Sequence, residues 1–171
     1  MKLASFEAII VAFRDADVRY LVAGGVAVNA HGYMRFTKDV DVVIDLEQGN
    51  VLRALRALSS LGYKPVIPVK IEDFANADIR QEWIEQKNMK VMQLFCDQHQ
   101  ETPIDIFVTL PFGFEQEYEK AYIDEVGPGL MVRFVRIETL IKMKEAVNRP
   151  RDMDDVQHLR WILKDKGNET D

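Results

Sequence analysis

Apolar positions along this chain follow two rhythms, one helical and one of strands, and their order outlines a fold. Phe6, Ile9, Ile10 and Phe13 fall at helical spacing, with Ser5 as the expected cap. Arg19 to Ala23 reads as a buried strand, Val26 to His31 as a short helix stopped by Gly32, and residues 39–44 as a second strand. Asp45, with Gln48 three residues on, predicts a capped helix through Leu52, Leu55, Leu58 and Leu61 that Gly62 ends. Residues 63–71 alternate around two prolines, which suits an edge strand. The polar stretch 72–87 reads as loop or broken helix. Met89 to Phe95, Ile104 to Val108 and Leu130 to Val135 read as strands, and Phe114 to Ala121 as a short helix. The tail is helical from Ile137 to Val147 and from Asp152 to Lys164, with Pro150 at the joint and Asp152 as cap. Early alternation and later clustering of strands predict an α/β (α+β) class, a mixed sheet flanked by helices with a C-terminal helical pair.

Size and composition narrow the class. A chain of 171 residues with 47% apolar content can close one core, so a single domain over 1–171 is expected. Its core would span about 18–135 and its terminal helices about 137–165. There is no internal repeat, low-complexity tract or long linker. No apolar run reaches the roughly 20 residues that span a bilayer. Glu7 falls where a signal peptide needs an apolar stretch, so a cytoplasmic protein without membrane contact is expected. Cys96 is the single cysteine, which excludes an internal disulfide and fits a reducing compartment; its apolar neighbours predict a buried, inert thiol. The net charge of −6 argues against a broad basic face for nucleic acid, while leaving room for a local patch that grips one end of an RNA.

The chemistry concentrates between residues 20 and 44. An apolar strand runs into Gly24-Gly25, and thirteen residues separate Gly25 from Asp39-Val40-Asp41 on the next strand. Positions i and i+2 of a strand share a face, so the two carboxylates point the same way and repel unless a cation or proton sits between them. Paired glycines that open a helix bare backbone N–H groups suited to phosphate, although close packing alone would also call for them. Asp105 lies between Ile104 and Ile106, where an acid needs a partner. It is read either as a third metal ligand, as an acid on the open face of a sheet, or as a carboxylate paired with arginine. Three carboxylates suit Mg²⁺ or Mn²⁺, which prefer oxygen ligands and share them with substrate phosphates.

Gly-Gly, this spacer, Asp-x-Asp and a later strand Asp together resemble the nucleotidyltransferase superfamily with the DNA polymerase β-like fold. The likeness is strongest to its small prokaryotic members, the abortive-infection toxin branch and the minimal nucleotidyltransferases of toxin–antitoxin loci. Arg35, Thr37, Asp39 and Asp41 stand in the register Arg-x-Thr-x-Asp-x-Asp of that branch, and Lys144 precedes Arg149-Pro150-Arg151-Asp152 as a helical lysine precedes Arg-Pro-Lys-Asp there. The resemblance covers roughly residues 18–160 and leaves 66–100 unmatched.

It implies that Gly24, Gly25, Arg35, Thr37 and Lys144 bind the nucleotide and that Asp39, Asp41 and Asp105 bind the metals, with Asp105 also the general base. The implied reaction moves a nucleoside monophosphate from an NTP such as ATP to a hydroxyl of an RNA end, a protein or a small molecule. Two competing readings are a non-catalytic nucleotide-binding or inhibitory subunit of a toxin–antitoxin pair, with a cognate partner protein, and a phosphohydrolase using the same acids. Asp154 and Asp155 are expected to favour the helix N-terminus through its dipole. His31 is expected to cap or pack, His99 and His158 lack metal-ligand spacing, and Trp83 is either core or a stacking surface for a base.

Overall fold

The computed structural model describes residues 1–168; of the span assigned above to one domain, 169–171 lie outside it. The chain opens with α1 (Leu3–Asp15), β1 (Tyr20–Val22), α2 (Gly24–Ala30), β2 (Val40–Ile44) and α3 (Gln48–Ser60). Then come β3 (Lys64–Pro65), α4 (Ile71–Ala75), α5 (Ala77–Lys87), β4 (Val91–Phe95) and β5 (Ile104–Phe107). It closes with α6 (Phe114–Glu119), β6 (Tyr122–Gly127), β7 (Leu130–Phe134), α7 (Ile137–Val147) and α8 (Pro150–Asn168). The strands form one mixed sheet in the order β3-β4-β5-β2-β1-β7-β6. β2 runs antiparallel to β1 and parallel to β5, which brings Asp41 level with Asp105. The mixed α/β class is as the hydrophobic pattern predicts.

Period-2 alternation decides which side of the sheet is core. In β4 and β5, Met92, Leu94, Ile104 and Ile106 are buried, while Gln93, Phe95, Asp105 and Phe107 face the other way and are partly or fully open. The helical stripe Phe6, Ile9, Ile10 and Phe13 of α1 is buried, as are Val51, Leu55 and Leu58 of α3. Burying each such side chain is worth about 1.5–3 kcal/mol, which is why these positions, rather than propensity alone, fix the helices.

Several local expectations change. Lys2, not Ser5, precedes α1; Ser5 lies inside the helix, buried, with its hydroxyl 2.9 Å from His99 Nδ1. Asp45 does not cap α3 because Arg19 holds it at 2.8 Å, and Glu47 caps instead by accepting from the N–H groups of Gly49 and Asn50. The edge strand shrinks to Lys64–Pro65, since Pro65 and Pro68 offer no N–H to a ladder. Of the loop or broken helix expected over 72–87, the structure has the helix, as α4 and α5 divided at Asn76, whose side chain caps the second. Trp83 is buried against Phe74, so it offers no surface for stacking a base. β6 is an element the pattern did not predict. Cys96 is buried and its thiol donates to the carbonyl of Leu61 at 3.4 Å.

Candidate functional site

The first element of the site is the turn from β1 into α2. Gly24 adopts φ +60°, and a Cβ there would sit 1.8 Å from Asp41 Oδ2. A Cβ on Gly25 would lie 2.4 Å from Thr37 Oγ1 and 3.0 Å from Arg35 Nη1. The pair therefore lets β2 and the returning loop press against the helix start. Gly25 also donates its backbone N–H to the Asp41 carboxylate. Both glycines and the side chains they admit line one open cleft of about 730 Å³.

Asp39, Asp41 and Asp105 line the same cleft. Burial pushes the Asp41 carboxyl up to about 6, and the charges of Asp105 and Asp39 add to it; Lys144 and the Gly25 N–H pull the other way. Burial also raises Asp105, with the Asp39 charge, against a hydrogen bond donated by Gln93 Nε2 to Asp105 Oδ1 at 3.1 Å. Among the described residues no three His, Cys, Asp or Glu side chains converge into a preassembled metal cage. The donor set nevertheless fits a hard cation. All three groups offer carboxylate oxygens; the Asp39 charge raises the cost of ionising Asp105, and both raise that of Asp41, which a divalent ion would relieve.

The cationic candidates reach the cleft from elsewhere. Arg35 sits in the loop after α2, where Asn29 grips its backbone twice: Arg35 N donates to Asn29 Oδ1 at 3.0 Å and Asn29 Nδ2 donates to Arg35 O at 2.9 Å. Its guanidinium makes a two-pronged pair with Asp155, Nε–Oδ1 2.5 Å and Nη2–Oδ2 2.6 Å. Lys144 of α7 reaches the same carboxylate at 2.7 Å and Asp152 at 3.3 Å. Asp155 is fully buried, so these two cations are what makes its charge tolerable there. Burial pulls its carboxyl up, but hydrogen bonds and charge from Arg35 and Lys144 outweigh that and hold it below the ordinary range. The expected dipole role is thus displaced: Asp155 is the hub that ties loop, α7 and α8 together. Asp152 does not cap α8, because the helix already begins at Pro150; from its first turn Asp152 reaches back to accept from the N–H of Arg149 at 3.4 Å.

All eight residues singled out from the sequence meet in this cleft. Other lining residues were not foreseen: Lys38, Lys90, Phe107, Phe112, Lys142 and a pair formed by Arg136 and Glu117. Glu117 is buried and accepts from Arg136 N, Nε and Nη2 and from Thr139 Oγ1, which fixes the start of α7. His31 packs as expected, its Nε2 2.8 Å from the Val135 carbonyl. His158 stacks on Tyr33.

Known structures supply an independent comparison. No family model and no curated protein matches the chain. Among solved structures, the antibiotic-resistance factor ANT(2'')-Ia in solution aligns at TM-score 0.58 and 15% identity, over 98% of this chain and 85% of that one. The same enzyme in complex with adenylyl-2''-tobramycin aligns at TM-score 0.60 and 13% identity, over 98% and 92%. The lincosamide antibiotic adenylyltransferase LnuA, lincomycin-bound, aligns at TM-score 0.56 and 16% identity, over 88% and 90%. At such identities the likeness is one of fold, carried over nearly the whole length of both chains. The chain therefore has the nucleotidyltransferase fold that these antibiotic adenylyltransferases share.

Proposed function

We propose that this protein is a metal-dependent nucleotidyltransferase, moving a nucleoside monophosphate from an NTP to an acceptor hydroxyl and releasing pyrophosphate. One observation carries the reading: Asp39, Asp41 and Asp105 share a single cleft with the Gly24–Gly25 turn, Arg35, Thr37 and Lys144. Asp39, Asp41 and Asp105 would hold Mg²⁺ or Mn²⁺, which when bound supplies charge neutralisation for the phosphates and polarises the reacting phosphorus. The acceptor oxygen forms a bond to the α-phosphorus while the bond from that phosphorus to the bridging β-oxygen breaks. The electron pair leaves with pyrophosphate, and Asp105 takes the acceptor proton.

Arg35 and Lys144 meet the triphosphate with what their salt bridges leave free. A guanidinium has five N–H donors, of which two go to Asp155 and one to the Phe36 carbonyl; an ammonium has three, of which two go to Asp152 and Asp155. Each keeps at least one donor for a phosphate oxygen, already oriented. ATP is the reading we adopt for the donor, because the similar structures are adenylyltransferases. Residues 1–171 act as one domain in this reading, in the cytoplasm; no helix among the described residues is long and apolar enough to cross a membrane. A toxin–antitoxin role rests on the Arg35-x-Thr37-x-Asp39-x-Asp41 motif and the tail alone.

Incubation with each labelled NTP, Mg²⁺ and a cell extract tests the proposal. The expected result is pyrophosphate together with one labelled class of acceptor. Inorganic phosphate in its place would make the protein a hydrolase, and nucleotide binding without turnover would make it a binding subunit.

A further inference from the structure

The charge of the cleft bears on the acceptor, on the footing of the nucleotidyl-transfer reading above. The chain carries net charge −6, yet eight Lys and Arg line the cleft against five Asp and Glu. Two of those acids are engaged: Glu117 by Arg136 and Thr139, Asp152 by Lys144 and the N–H of Arg149. That leaves Asp39, Asp41 and Asp105, the set assigned to metal. Lys38, Lys90, Lys142, Arg149 and Arg151 line the cleft and form no ion pair among the described residues.

Their positions divide them. Lys38 and Lys142 belong to the loop and helix that carry Arg35 and Lys144, and Arg149 and Arg151 to the joint and first turn of α8 that follow, on the side assigned to triphosphate. Lys90 lies at the other wall, directly before Val91, which pairs with Phe107 two residues beyond Asp105. Phe112, from the loop after β5, lines the cleft with them. The strand wall that carries Asp105 and the loop and helix after it thus bring to the cleft an ammonium, two aromatic rings, Val91 and the neutral amide of Gln116. No unengaged carboxylate other than Asp105 stands there to receive a cationic acceptor, and like charge rejects one.

We propose that the acceptor is a phosphate-bearing hydroxyl compound, its phosphate held by Lys90 and its ring or apolar portion set against Phe107 and Phe112. Its hydroxyl oxygen bonds to the α-phosphorus, pyrophosphate departs with the electron pair of the broken bond, and the proton passes to Asp105. A polycation such as tobramycin, named in the complex of a structurally similar enzyme, finds no counter-charge here beyond Asp105, which is assigned to metal and proton.

The test loads the full chain with Mg²⁺ and a non-hydrolysable ATP analogue, then titrates acceptors by calorimetry. The probes are ribose 5-phosphate, unphosphorylated ribose, a short single-stranded oligoribonucleotide and tobramycin. At least one phosphate-bearing probe should bind roughly ten-fold more tightly than ribose and tobramycin, and Lys90→Glu should remove that advantage without changing analogue binding. Tighter binding of the oligonucleotide places the phosphate in a strand; tighter binding of ribose 5-phosphate places it in a small metabolite. Preference for tobramycin, no binding by either phosphate-bearing probe, or indifference to Lys90→Glu overturns the proposal. If the analogue itself fails to bind the parent protein, the nucleotidyl-transfer reading fails first and this inference with it.

Discussion

Asp41 sits at a point where burial, two neighbouring carboxylates and one glycine N–H compete for a single proton. Its folded carboxyl titrates near 6 against an ordinary 3.8, so between those values the folded chain binds more protons than the unfolded one. Stability contributed by this group is therefore lost as pH rises through that window, and the full cost, about 3 kcal/mol, stands above it. In EDTA, Asp41→Asn should be more stable than the parent at about pH 7.5, with that advantage roughly halved by about pH 5. Melting curves at both pH values check this, and a less stable variant at the higher pH would contradict it. The same variant should have no transfer activity, since an amide is a poor ligand for Mg²⁺. Asp105→Asn separates the acids by role: turnover should drop about 10²–10⁴-fold with nucleotide binding nearly retained. Partial recovery at high Mn²⁺ would instead mark Asp105 as a ligand only. Gly24 has the least room of all, because alanine there combines a positive φ with a Cβ 1.8 Å from Asp41 Oδ2. Gly24→Ala should lower both melting temperature and nucleotide affinity, whereas a phosphate role alone would spare stability.

Between elements, the decisive contact is Asp155 with Arg35 and Lys144, which joins α8, the loop after α2 and α7. Removing the central carboxylate leaves two facing cations, one nearly buried, without compensation. Asp155→Ala should cost about 3–5 kcal/mol, and Arg35→Ala a comparable amount by stranding the buried acid. Denaturant unfolding measures both, and a loss below about 1 kcal/mol would show that the network is solvated. Arg35 and Lys144, singled out from the sequence, both line the cleft, while their anchor was missed for a physical reason. Asp155 sits in the early turns of a helix, where a dipole role is the cheap explanation, and its partner Arg35 is 120 residues away. Periodicity reported helices and buried strands well because each writes its burial into the chain. β6 escaped it: on this edge strand Tyr122 and Asp124 fall on the half-buried side and Ile123 and Glu125 on the exposed side, so each side mixes apolar and acidic residues and the sequence shows no alternation. The cap of α3 was misplaced by two residues because Arg19, distant in sequence, claims Asp45. Residues 72–87 left loop and broken helix both open, and Trp83 both core and stacking surface; only packing, which sets Trp83 against Phe74, decides each.

For the molecule as a whole, the cleft is a seam. One wall is the sheet, carrying Asp41 and Asp105 on adjacent parallel strands; the other is the C-terminal pair, carrying Lys144 and Asp152. A nucleotide that touches both walls binds the folded chain and not the unfolded one, so it must raise stability by mass action. At 100 times its dissociation constant the gain is about 2.7 kcal/mol. For a chain of this length each kcal/mol moves the melting temperature by about 2–4 °C, so ATP with Mg²⁺ should raise it by about 5–10 °C. The shift should shrink strongly in EDTA, because triphosphate then meets three carboxylates with no cation between them. In Asp41→Asn, metal should matter less and the remaining shift should resemble the EDTA value. In Lys144→Met the shift should fall even with Mg²⁺, as the tail wall loses the ammonium that reaches the phosphates. A thermal-shift series over these proteins, with and without chelator, therefore reads both walls separately. An equal shift in all of them would place the nucleotide somewhere other than this seam.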